Sequence, residues 1–177
     1  MGKEIEVKYL VNEIPHFHVY DYVTIYQGYL AVSDTCEVRV RKIEPSRPPL
    51  DISHKLTIKS LESNFRTEIE KEITKEEFKE LWKLSSDTIS KYRHYGTLKF
   101  DERRVRWKFE LDEYITPFHS PRLLVCEIEF KDEDDYNRFK TYDLPDWLGD
   151  EITDDSRYKN RNISNTILET LESSNKT

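Results

Sequence analysis

Ionised side chains recur at every second position along several stretches of this chain. Near the start, Glu4, Glu6 and Lys8 alternate with Ile5, Val7 and Tyr9 in EIEVKYLV. The same spacing sets Glu37, Arg39 and Arg41 against Cys36, Val38 and Val40, and Lys55, Thr57 and Lys59 against Leu56 and Ile58. It returns as Arg66, Glu68, Glu70 and Glu72, as Arg104, Arg106, Lys108, Glu110 and Asp112, and as Glu127 and Glu129. A row of carboxylates calls for a cation, and hard divalent metals prefer oxygen ligands. A row of Arg and Lys calls for an anion. Arg meets phosphate with a two-pronged fork and Lys meets it as a point charge. A polyphosphate carrying a divalent metal supplies both partners at once.

Period two is the period of a strand, whose successive side chains point to opposite faces. Strands are expected at 3–11, around 26–31, at 34–43, 53–61 and 65–73, then over ISKYRHYG, LKF, 104–114 and 122–130. The loop 44–51 holds three prolines. Between the strands the period changes. Thr74 with Glu77 is a capping-box pattern, and Phe78, Leu81, Trp82 and Leu84 follow at helical spacing. A second helix is expected over 132–142, whose acidic first turn suits the helix dipole, and a short last one over 165–172. Many antiparallel-type strands with helices inserted late give an α+β domain on one large sheet.

Half-buried strands with a solvated outer face would show the same alternation. Two features favour another arrangement: the polar positions are nearly all ionised, and individual rows sort by sign. A closed barrel of about eight strands has an interior that side chains line around one small ligand. The expectation is therefore a closed eight-stranded antiparallel β-barrel with the charged face inside and helices packed on the apolar outside. Charges so buried need partners.

The chain of 177 residues reads as one domain over 1–177. Its net charge of −7 argues against a general nucleic-acid binder. Cys36 and Cys126 fit no metal spacing or disulfide framework and fall on apolar faces. No apolar leader or membrane-length run is present, so a cytoplasmic protein with no membrane partner is expected. His16 and His18 lie near a proline and read as a loop or strand edge rather than a metal pair.

The motif Glu4-x-Glu6-x-Lys8 resembles the signature of the CYTH domain, also called the triphosphate tunnel metalloenzymes. QGYL (27–30), EVRVRK (37–42), LTIKS (56–60), RTEIEKEI (66–73), KYRHY (91–95), FELDEY (109–114), CEIEF (126–130) and the closing LPDWLGDEITDDSRYKNRNIS (144–164) fall in that family's order. The resemblance covers nearly the whole chain. Val7 and Tyr9 replace the commoner Arg and Phe, on the apolar face. The KYRHYGTLKFDERR stretch is more basic than the usual Lys-x-Arg, which leaves open which of Lys91, Arg93, Lys99, Arg104 and Arg106 point inward.

The resemblance implies a tunnel that binds a triphosphate and hydrolyses it with Mg²⁺ or Mn²⁺, and it suggests a homodimer. It implies Glu4, Glu6, Glu127 and Glu129 as the main metal set, with Asp112 added. Lys8, Glu68 and Glu70 are then the catalytic candidates; Glu68 and Glu70, with Glu110, serve either a second metal or the orientation of water. Arg39, Arg41, Lys59, Lys91 and Arg93 would hold phosphate oxygens, with Arg66 and Lys55 less central. Gln27 and Tyr29 would face the lumen, although the residues alone leave Tyr29 equally suited to the core. Asp154, Asp155, Arg157 and Tyr158 would brace one barrel end. Alternatives are a class IV adenylyl cyclase, a polyphosphate-binding module without turnover, and an inert sheet with its charges in water.

Overall fold

The alternating stretches fold as strands because each presents one apolar face to bury. The computed structural model describes residues 5–15, 22–60, 67–100, 105–115 and 122–163. Within these the strands are β1 (Ile5–Val11), β2 (Tyr22–Val32), β3 (Cys36–Pro45), β4 (Ser53–Ser60), β5 (Glu68–Glu72), β6 (Asp87–Phe100), β7 (Val105–Tyr114), β8 (Leu124–Phe130) and β9 (Leu148–Glu151). Two helices, α1 (Lys75–Trp82) and α2 (Glu133–Phe139), interrupt them.

All pairings are antiparallel and form one sheet in the order β5-β4-β3-β2-β6-β7-β8-β1-β9. This corrects the expected eight-stranded closed barrel on two counts. Nine strands lie among the described residues, because Leu148–Glu151 adds to the free edge of β1. Nor do hydrogen bonds join the edge strands β5 and β9 among the described residues. The sheet curls instead. Lys59 of β4 and Glu6 of β1 line one cavity although five strands separate them in the order.

The apolar face points outward and the helices cover it, as expected. On β6, β7, β8 and β1, Leu98, Trp107, Phe109, Ile128, Cys126 and Val7 form a core with Phe139 of α2. The Phe139 ring meets Trp107 and Phe130 at centroid distances of 5.1 and 5.0 Å. Helix α2 begins where the Asp132 carboxylate accepts from the Asp135 N–H, at 2.8 Å. Over β2, β3 and β4 the cover is α1. Its capping box forms as read: Glu77 N–H donates to Thr74 Oγ1 (3.1 Å), and Thr74 N–H donates to the Glu77 carboxylate (2.7 Å). Phe78 is buried and packs on His54 and Trp82. Gly28 of β2 is required here, since a Cβ would fall on the Ser85 hydroxyl at the end of the helix.

One end of the inner face is apolar. Ile89, Tyr114 and Val125 meet Ile152 and Ile163 from the segment after β9. That segment seals the end of the curl, and the charged rows occupy the rest of the inner face. The expected last helix, 165–172, lies outside the described residues.

Candidate active site

The inner face is built by register. Across β3, β4 and β5, antiparallel pairing sets Glu37 opposite Lys59 and Lys59 opposite Glu68, so unlike charges face each other. Arg39 reaches Glu37 at 3.0 Å and Glu68 at 3.5 Å, and Lys59 reaches Glu68 at 3.1 Å. Burial alone would raise the Glu68 carboxyl, but Lys59 and Arg39 hold it below the usual carboxylate range. Lys55 pairs with Glu70 at 2.5 Å, beside Thr57. The carboxylates of β5 thus hold the cations of β3 and β4 in place. Among the described residues the buried Arg39 Nε has no hydrogen-bond partner.

Arg41 differs. Among the described residues it pairs with no carboxylate. Its Nε donates to the Gln27 amide oxygen at 2.6 Å. Burial and the charges of Arg39 and Arg93 push its guanidinium down to about 10, so it remains a cation at neutral pH.

Under this flank, β6 and β7 place Arg93 opposite Asp112 and Tyr95 opposite Glu110. Asp112 is fully buried. Arg93 grips both its oxygens, at 2.7 Å each, and the Lys91 ammonium bonds to one of them. Arg93 also contacts Glu110, and Glu127 at 3.5 Å. Burial would raise Asp112, but Lys91 and Arg93 overturn that and hold it far below the carboxylate range. Between two cations sharing one anion the ammonium yields: burial and Arg93 bring Lys91 down to about 8 against the pull of Asp112. Glu110 is raised by burial and by Asp112, Glu127 and Glu129, against the pull of Arg93.

The facing flank is β1 with β8. Lys8 stands opposite Glu127 and Glu6 opposite Glu129. The Lys8 ammonium bonds Glu127 at 2.7 Å and lies 3.6 Å from Glu6. These carboxylates lift the Lys8 ammonium above its ordinary value although burial opposes them. The main-chain N–H of Lys8 donates to Thr153 Oγ1, which ties β1 to the closing segment.

A cavity of about 350 Å³ opens between the flanks. Arg39, Lys59 and Tyr29 line one side, Glu6 and Lys8 the other, and Asp155, Lys159 and Arg161 one wall. Its size suits one small ligand. Asp155 caps a single 3-10 turn and clasps Arg157 through contacts at 3.0 and 2.5 Å, a bond within the closing segment itself rather than between that segment and the sheet.

The predicted residues thus gather on one face: Arg39, Arg41, Lys59, Lys91 and Arg93 with Glu6, Lys8, Glu68, Glu70, Asp112, Glu127 and Glu129. Glu4, Arg66 and Arg104 lie outside the described residues, as do His16 and His18. Lys99 and Arg106 share the inner-facing register but are exposed. Asp112, expected among the metal ligands, has both its oxygens bonded by Lys91 and Arg93. Glu68 and Glu70 stand with the basic flank as partners of Arg39, Lys59 and Lys55. Among the described residues no group of three or more carboxylate, His or Cys side chains is preassembled for a metal. The residues missed are Lys159, Asn160 and Arg161 of the closing segment. Their signal was the basic run SRYKNR; it gave no sign of folding back onto the cavity.

Two curated proteins named inorganic triphosphatase are similar to this chain. The one from Nitrosomonas europaea is 32% identical over 166 residues, 93% of this chain and 98% of its own length. The one from Acetivibrio thermocellus is 32% identical over 166 residues, 92% of this chain and 94% of its own length. The chain belongs to the inorganic triphosphatase family. A crystal structure of an inorganic triphosphatase superposes with a TM-score of 0.65, at 31% identity, covering 93% of this chain and 95% of that one. No protein-family model matches. The family's fold is therefore the frame for the curled sheet.

Proposed function

We propose that this protein hydrolyses a phosphoanhydride bond of a triphosphate, inorganic tripolyphosphate first among them, with Mg²⁺ or Mn²⁺ bound beside the substrate. One observation carries the reading: the same small cavity is lined by Arg39 and Lys59 of β3 and β4 on one flank and by Glu6, beside Lys8, of β1 on the other. That division suits a phosphate chain carrying a metal. The names of its family relatives support the substrate class.

Arg39, Arg41 and Lys59 bind the phosphate oxygens. Arg39 and Lys59 are oriented by Glu37 and Glu68, and Arg41 retains its charge. Lys91 and Arg93 face the same chain from below, fixed by Asp112. Glu6 and Glu129 stand directly opposite each other across β1 and β8, with the Lys8 ammonium 3.6 Å from Glu6. That donor set, with Glu127 next to it, fits a hard divalent ion, whose remaining positions would go to phosphate oxygens and water. Such an ion, when bound, neutralises charge that develops on the transferred phosphoryl group and lowers the pKa of bound water. Lys8, held by Glu127 and Glu6, stands between the flanks and steadies the oxygen that gains charge. Catalysis is mainly positioning and charge stabilisation, with no covalent nucleophile.

The test is phosphate release from tripolyphosphate by the purified chain with Mg²⁺, with Mn²⁺ and with chelator. Release that requires a metal supports the reading. No release from tripolyphosphate or from nucleoside triphosphates with either metal overturns it, and cyclic AMP formed from ATP would point to a lyase instead.

A further inference from the structure

Gln27 is fully buried in the middle of the charged face, yet its side chain carries no charge. Its amide oxygen accepts from Arg41 Nε at 2.6 Å, and its Nε2 donates to the Tyr29 hydroxyl at 2.7 Å. These partners fix the amide. Arg41 can only donate, so the oxygen must face Arg41, and the NH₂ must then face Tyr29. The Tyr29 oxygen accepts that bond and its own hydrogen must point elsewhere. Tyr29 is buried against the cavity that Arg39 and Lys59 line. We propose that Gln27 is a positioning residue for triphosphate binding: it makes both its neighbours donors toward the phosphate chain, and it does so without neutralising Arg41.

The contrast with nearby cations supports this. Arg39, Lys59, Lys55 and Arg93 each have a carboxylate within 3.5 Å. Arg41, itself partly buried, is held by an amide. A carboxylate at position 27 would fit the same space and would be the more stable partner for Arg41. It would also accept from the Tyr29 hydroxyl and turn its hydrogen away from the cavity. An amide there is the weaker choice for folding and the better one for binding an anion.

The inference rests on the triphosphate reading of the site, and its test separates the two. Binding of inorganic tripolyphosphate is measured by calorimetry, and stability by urea unfolding, for the wild type, Gln27→Glu and Gln27→Leu. Gln27→Glu is expected to unfold at a urea concentration no lower than Gln27→Leu, because Arg41 gains a charged partner. Its Kd is expected to rise roughly hundredfold, and that of Gln27→Leu roughly tenfold, by loss of charge-assisted and neutral contacts respectively. Stability and binding therefore rank the two variants in opposite order. A purely structural glutamine would have binding loss follow stability loss, and that outcome overturns the inference, as does wild-type affinity in Gln27→Glu. If the wild type itself binds no tripolyphosphate, the reading of the site falls and this inference with it.

Discussion

At the scale of single residues, Asp112 shows how the inner face tolerates so much charge. It is one carboxylate between two buried cations, and removing it leaves both without their main counter-charge. Breaking a buried ion pair by deleting one partner costs about 3–5 kcal/mol. Asp112→Asn should therefore lower the unfolding free energy, measured by urea titration, by an amount in that range. The pH dependence has a definite sign. The folded pKa of Asp112 lies below its unfolded value, so its contribution is fully present above about pH 4, the ordinary carboxylate value. It is lost as pH falls from there toward the folded pKa. Glu127 is depressed too, chiefly by Lys8, although burial works the other way. The stability gap between wild type and Asp112→Asn should hold steady at neutral pH and narrow on acidification. A gap that widens in acid would contradict the brace. At the alkaline side Lys91, brought to about 8, is the first cation to discharge. Affinity for tripolyphosphate should fall as pH rises through that value, and Lys91→Arg should move the fall to higher pH.

At the scale of elements, the site depends on cover that never touches it. Helix α1 lies on the outside of β2, β3 and β4, whose inner faces carry Gln27, Arg39, Arg41 and Lys59. Its one buried side chain is Phe78. Truncating a buried Phe costs about 3–5 kcal/mol. Phe78→Ala should destabilise the protein by an amount near the lower end, and should raise KM for tripolyphosphate more than it lowers kcat, because the basic flank loses its backing. The helix was legible because its capping box and apolar spacing are local signals that agree. β6 was not legible as one strand. Gly96 splits its sequence into two apparent pieces, yet Asp87–Phe100 runs unbroken because the Phe109 ring from β7 packs where a Cβ would stand. Gly96→Ala should therefore cost about 1–3 kcal/mol by overpacking, visible as a lower thermal midpoint. β9 was missed for the opposite reason: four residues joined to an edge carry no alternation to read.

At the scale of the whole molecule, what the sequence carried was the sign of each face; what it could not carry was how far the sheet bends. Period two says which residues share a face and nothing about curvature, so the charged rows were legible, whereas among the described residues the sheet curls without its edge strands pairing. The same limit applied to Lys99 and Arg106. The continuous β6–β7 register shows that they stand opposite each other on the inner-facing side, with Lys108 next to them, on a stretch of β6 beyond its pairing with β2. All three are exposed, and among the described residues none pairs with a carboxylate. In a chain of net charge −7 they form a local positive field at the end of the site face. Such a field raises the encounter rate of an anion without holding it, and salt removes its effect within a Debye length of about 10 Å at 0.1 M. The double variant Lys99→Gln/Arg106→Gln should thus lower kcat/KM for tripolyphosphate by roughly threefold to tenfold at low ionic strength. The deficit should shrink toward zero in added KCl, with kcat unchanged throughout. A deficit that persists at high salt would mean that these side chains contact the substrate directly. The hairpin would then belong to the binding site, because screening weakens a long-range field far more than a desolvated contact.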